Sequence, residues 1–168
     1  EIVTRAGAEF IKTSTGFYTG APTHGERTGA FDDMVGALKA AGRSEIAFLS
    51  GVPLSTPDHW RYAAWREALS DHGLPVRDEL VVDGLVSAHT DEAEGMRAAN
   101  ALLERGVPFT AVYALNDLMA LGAIRALHNH GLRVPEDVSV VGCDRLKILQ
   151  STTPTLATMD IHGFEVGR

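Results

Sequence analysis

Apolar residues recur along this chain with two alternating periods. In the stretch FTAVYALNDLMALGAIRALHNHGLRVPEDVSVVG, residues 109–142, a β-type run of Thr110, Ala111, Val112 and Tyr113 ends at Ala114-Leu115. Polar Asn116 and Asp117 follow, where a helix N-cap belongs. Leu118, Leu121, Ile124 and Leu127 then continue at helical spacing. Gly131 is placed to end that helix, Val134-Pro135 closes the segment, and the apolar run 138–141 returns as a strand. Strand, helix and strand in this order predict a βαβ unit, hence a parallel sheet.

The same alternation extends in both directions. The spacing predicts a helix over 27–41, with Phe31, Met34, Leu38 and Ala41 on one face and Gly42 closing it. A strand follows at 46–49, ending at Ser50-Gly51. A helix over 56–72 has Trp60, Ala64 and Ala68 on its apolar side, with Trp65 and Leu69 beside them. A strand at 80–82, a polar loop at 83–90 and a helix over 91–105 come next. In that helix Met96, Ala99, Leu102 and Leu103 point inward. Beyond the 109–142 unit the pattern predicts a helical turn near Lys147, a strand at 156–159 and a last helix beginning near His162. Residues 1–25 are irregular and rich in Gly, Thr and Ser. Right-handed crossovers turn this alternation into a three-layer αβα domain. Its doubly wound parallel sheet has about five strands in order 2-1-3-4-5. The loops after strands 1 and 3 then face one crevice, where open α/β sheets bind ligands.

Composition narrows the function classes. With 168 residues, 45% hydrophobic and 22% charged, the chain has the make-up of a globular domain with a sizeable core. No apolar run approaches the roughly 20 residues of a membrane span, and the N-terminal residues lack the order of a signal peptide. The net charge is −7 and no Lys/Arg cluster stands out, so these residues are ill suited to gripping nucleic-acid phosphates. A single cysteine, Cys143, excludes an intrachain disulfide and a cysteine-based zinc site. A reducing, cytoplasmic setting fits.

Dinucleotide, P-loop and nucleophile-elbow fingerprints are missing, so no cofactor and no enzymatic reaction are expected. The seven histidines are scattered. His128 and His130, two apart, lie on different helix faces, so no metal site is expected. The crevice instead collects Ser50, Ser55 and Arg61 after strand 1, Asn116 and Asp117 after strand 3, and Asp144 after strand 4. Arg, Asn and Asp together suit a polyhydroxylated ligand: Asp accepts from hydroxyls, Arg donates in a fixed fork, and Asn does both. Each also has a plainer reading. Asn116 is either a helix cap or a ligand residue, Asp117 reads as a cap, Arg61 as an exposed helix residue, and Asp144 as a strand terminus. His59 and Trp60 border the crevice, and a tryptophan there could pack a sugar face.

NDLMALGAIRAL followed by GLRVPEDVSVVG resembles the effector-binding core of the lactose-repressor/galactose-repressor family of bacterial transcription regulators. LKAAGRSEIAFLSGVPLSTPDHWRYAAWREAL is similar to that family's helix, strand, loop and helix, and TPTLATMDIHGFEVGR to its return segment. The resemblance implies a periplasmic-binding-protein-like type I subdomain. Residues 24–155 would form the C-terminal subdomain, 1–23 a boundary stub, and 156–168 the crossover towards an N-terminal subdomain. It implies a sugar-like effector held in the inter-subdomain cleft by Arg61, Asn116 and Asp144. The effector would modulate operator binding through a helix-turn-helix module outside these residues. Cys143 and Arg145 depart from the family's G-[FY]-D-D pattern, and Arg145 adds a cation next to Asp144. A homodimer is implied as well, with helix 27–41 ranked above the more charged 91–105 as its interface. A periplasmic sugar-binding protein of an ABC transporter shares the motif and is the alternative, ahead of a doubly wound enzyme using Asp144 and a histidine as acid and base.

Overall fold

The computed structural model describes residues 24–55, 60–84, 89–144, 146 and 156–159, with side chains from Ala30 onward. Helix α1 (His24–Ala40) precedes strand β1 (Ile46–Leu49) and helix α2 (Trp60–Asp71). A single 3-10 turn, Asp78–Leu80, leads into β2 (Val81–Val82). Then come α3 (Glu92–Glu104), β3 (Ala111–Ala114), α4 (Asp117–Asn129), β4 (Ser139–Cys143) and β5 (Ala157–Met159). The strands form one parallel sheet in the order β2-β1-β3-β4-β5, as the alternation predicts.

Strand register sorts the core between two faces. Phe48, Tyr113 and Val141 are cross-strand partners, so their side chains share one face. That face is aromatic: the Tyr113 ring lies 5.2 Å from Phe31 of α1, and Phe48 lies 5.4 Å from Trp65 of α2. The edge-to-face packing of Phe31 on Tyr113 adds to their area burial. The opposite face carries Val112 and Gly142 and receives α3 and α4. Here the helices approach closely because the contact residues are small. A Cβ on Gly122 would overlap the Glu92 carbonyl, and one on Gly95 would overlap the Met119 backbone. Ala98, Ala99 and Ala123 fill the rest of this layer.

Differences from the sequence expectation are local. Leu80 is buried but belongs to the 3-10 turn, leaving β2 two residues long. Val138 is buried ahead of β4, because its N–H bonds the Arg133 carbonyl at 3.2 Å rather than a neighbouring strand. Ala41 is exposed, and Val35 and Ala37 join Phe31, Met34 and Leu38 on the buried side of α1. Met96 and Leu103 are half-buried, while Ala98 faces fully inward. The turn near Lys147 and the helix near His162 lie outside the described residues, as do residues 85–88 of the loop after β2. Among the described residues no helix is long and apolar enough to cross a membrane.

Candidate functional site

The carboxyl ends of β1, β3 and β4 meet beneath the start of α2. Arg61 stands in the first turn of α2 and points across them. Its guanidinium donates to the Leu115 carbonyl at 2.7 Å, and its other terminal nitrogen lies 3.5 Å from the Asp144 carboxylate. It also sits 5.5 Å from the centre of the Trp60 ring, within cation–π range. One side chain thus links the loops after β3 and β4. Trp60 is half-buried, edge-on to Phe31 at 6.1 Å, so one indole supports both the core and the arginine.

Asp144 directly follows β4 with φ +103°, a region that L-residues rarely occupy. Its N–H bonds the Met159 carbonyl at 3.1 Å, which ties the turn to β5. Burial pushes its carboxyl pKa up, and the Arg61 guanidinium pulls it back down in part. A half-exposed carboxylate on a strained turn is costly to hold, and such strain gathers at functional sites.

Asn116 caps α4: its Oδ1 accepts the Met119 N–H at 2.9 Å, and its Nδ2 donates to the Thr90 carbonyl at 2.7 Å. The capping reading therefore holds for Asn116. Both ends of the amide are engaged, and an amide still has one N–H and one lone pair for a further partner. Asp117 is not the cap expected of it. It is the first residue of α4, fully buried, and reaches across the sheet. One carboxylate oxygen accepts from the Thr158 hydroxyl of β5 at 2.6 Å and the other from the Leu146 N–H at 2.8 Å. The cap position was already filled by Asn116, which freed Asp117 to anchor the turn that carries Asp144. Nothing local in the sequence signals that role.

The remaining candidates separate. Ser50 is fully buried and donates to the Val52 carbonyl, shaping the turn after β1. Ser55 is exposed on the next turn. His59 and Arg145 lie outside the described residues. Cys143 is buried, and burial pushes its thiol up to about 12, where it is inert. His128 and His130 are exposed. Among the described residues no group of His, Cys, Asp and Glu could hold a metal ion.

A doubly wound sheet with polar side chains gathered at its switch point is the arrangement in which open α/β sheets bind ligands. Residues 35–168 match the family of periplasmic binding protein-like domains. The HTH-type transcriptional regulator AscG of Escherichia coli (strain K12) is 41% identical over 129 residues, 77% of this chain and 37% of that protein. The HTH-type transcriptional repressor CytR of the same strain is 35% identical over 141 residues, 84% of this chain and 40% of the repressor. Among solved structures, a sugar-binding LacI-family regulator from Escherichia coli, complexed with phosphate, superposes with a TM-score of 0.70 and 38% identity. The match covers 79% of this chain and 46% of that one. The regulator CelR in its cellobiose complex gives 0.68 and 31%, covering 79% and 39%. This chain belongs to the periplasmic binding protein-like family, in the form found in LacI-family transcription regulators. It spans well under half the length of the curated relatives it matches.

Proposed function

We propose that these residues form the C-terminal half of an effector cleft in a LacI-type regulator, and that the effector is a small sugar or sugar derivative. The observation that carries this reading is Arg61, which spans the Leu115 carbonyl and the Asp144 carboxylate at the switch point. An arginine and a strained, half-exposed aspartate held side by side offer donors and acceptors at the spacing of adjacent hydroxyls. Arg61, Asn116 and Asp144 take the effector, with Ser55 and Trp60 beside them. The relatives support it: the CelR complex holds cellobiose, and the Escherichia coli regulator is a sugar-binding one that holds phosphate.

No bond is made or broken in this function. The effector binds one closure state of the cleft more tightly and shifts the population towards it. That shift changes the geometry of paired helix-turn-helix modules carried outside these 168 residues, in a cytoplasmic homodimer. Regulators among the relatives favour this reading over a periplasmic transporter component.

The test is a thermal-shift screen of the full-length protein against glucose, galactose, cellobiose, sugar acids and sugar phosphates. A ligand at one hundred times its dissociation constant stabilises by about 2.7 kcal/mol. Arg61→Ala and Asn116→Ala should each abolish the best ligand's shift. An unchanged shift in both variants refutes the site.

A further inference from the structure

We propose that the Tyr113 hydroxyl is a specificity-determining contact in the floor of this cleft, reading one hydroxyl of a neutral, sugar-like effector. The inference rests on the effector-cleft reading above.

Tyr113 pairs in register with Val141, so its side chain shares a sheet face with Cys143 two residues further along β4. This is the face that Arg61 crosses, and Arg61 bonds the Leu115 carbonyl two residues after Tyr113. The phenol ring is wedged between Phe31 and Phe48, at 5.2 and 5.3 Å. Cys143, its neighbour on this face, is followed directly by Asp144, and the charges of Arg61 and Asp144 both act on the Tyr113 hydroxyl.

That oxygen is fully buried and meets no oxygen or nitrogen partner among the described residues, only the Cys143 thiol. The thiol beside it is a weak partner. Buried hydroxyls are almost always paired, because burying one unpaired costs free energy that folding does not return. A phenylalanine at 113 would keep both ring contacts and leave no orphaned oxygen. The hydroxyl therefore adds little to the fold, and a ligand in the cleft would give it a strong partner. A ligand that spreads Arg61 from Asp144 uncovers it. The pair is already long at 3.5 Å, and the Asp144 side chain is 41% exposed, so the opening is small. A phenol both donates and accepts, which suits a neutral hydroxyl and not a phosphate or carboxylate in particular.

The experiment is isothermal titration of full-length wild type, Tyr113→Phe and Arg61→Ala with the best neutral sugar of the screen and its monodeoxy analogues. The expected result has three parts. Tyr113→Phe melts at or above the wild-type temperature without ligand. It binds the sugar about tenfold or more weakly. One monodeoxy analogue binds wild type and Tyr113→Phe equally, because it lacks the hydroxyl that Tyr113 reads. If Tyr113→Phe binds like wild type while Arg61→Ala loses the sugar, this inference fails and the cleft stands. A lower melting point for unliganded Tyr113→Phe gives the hydroxyl a structural role and overturns the inference. Binding undiminished in Arg61→Ala overturns the cleft reading and this inference with it; a wild type that binds only sugar acids or sugar phosphates overturns this inference and leaves the cleft standing.

Discussion

Removing the Asp117 carboxylate should damage the domain more than any change at the effector residues themselves. Its two oxygens accept from the Thr158 hydroxyl at 2.6 Å and the Leu146 N–H at 2.8 Å. Hydrogen bonds to a charged group contribute about 1.5–3 kcal/mol each. The negative charge at the start of α4 adds about 0.3–1 kcal/mol through the helix dipole. Relief from desolvation offsets part of the loss, which leaves Asp117→Ala destabilised by about 3–5 kcal/mol. The conservative variant should separate charge from geometry. An asparagine can turn its amide oxygen to the Leu146 N–H and its NH2 to the Thr158 oxygen, which also accepts. Both bonds then survive in neutral form, so Asp117→Asn should lose only about 1–2 kcal/mol. Thr158→Val should lose a similar amount and should couple to Asp117→Ala in a double-mutant cycle, since the two share a bond. Urea denaturation followed by circular dichroism reads wild type and all four variants, the double mutant included. An alanine variant within about 1 kcal/mol of wild type would refute the bridging role. So would an asparagine variant as damaged as the alanine.

Three further outcomes are expected. Gly122→Ala forces a Cβ into the Glu92 carbonyl and should lose about 2 kcal/mol or more by overpacking. Gly131→Ala meets open space and should lose only about 1 kcal/mol, from its φ of +78°; equal melting temperatures for the two would refute the close α3–α4 approach. Asn116→Ser should keep the cap, whereas Asn116→Ala should lose about 1 kcal/mol; both lose the link to Thr90, and calorimetry should find sugar binding weakened in each. Burial raises the folded-state pKa of Asp144, so its ionised form destabilises the fold at neutral pH, and that effect is absent below about pH 4, the ordinary aspartate value. Asp144→Asn should therefore melt above wild type at pH 7, with the gap closing as pH falls to 4; a gap that widens on acidification contradicts the assigned direction.

What the sequence shows and what it hides divides along a physical line. The apolar run at 46–49 is buried on both sides of the sheet and reads as a strand whatever else the chain does. The period of Leu118, Leu121, Ile124 and Leu127 is intrinsic to an amphipathic helix. Topology follows from such local signals, because crossover handedness leaves few ways to order the strands. The roles of polar side chains do not follow, because partners far along the chain decide them. Asn116 and Asp117 are equally good caps in isolation, and only Thr158, on a strand 41 residues away, separates them. Arg61 could equally have faced solvent. What turns it inward is the Leu115 carbonyl, 54 residues along the chain. Tyr113 is the extreme case. Within the run Ala111–Ala114 its ring is as good a core residue as any, and sequence reading places it there correctly. The hydroxyl on that ring becomes conspicuous only once the other buried side-chain oxygens among the described residues have been matched to donors or acceptors. The residues that make a scaffold can thus be read from their neighbours in sequence, whereas those that make a site can be read only from what they fail to meet in space.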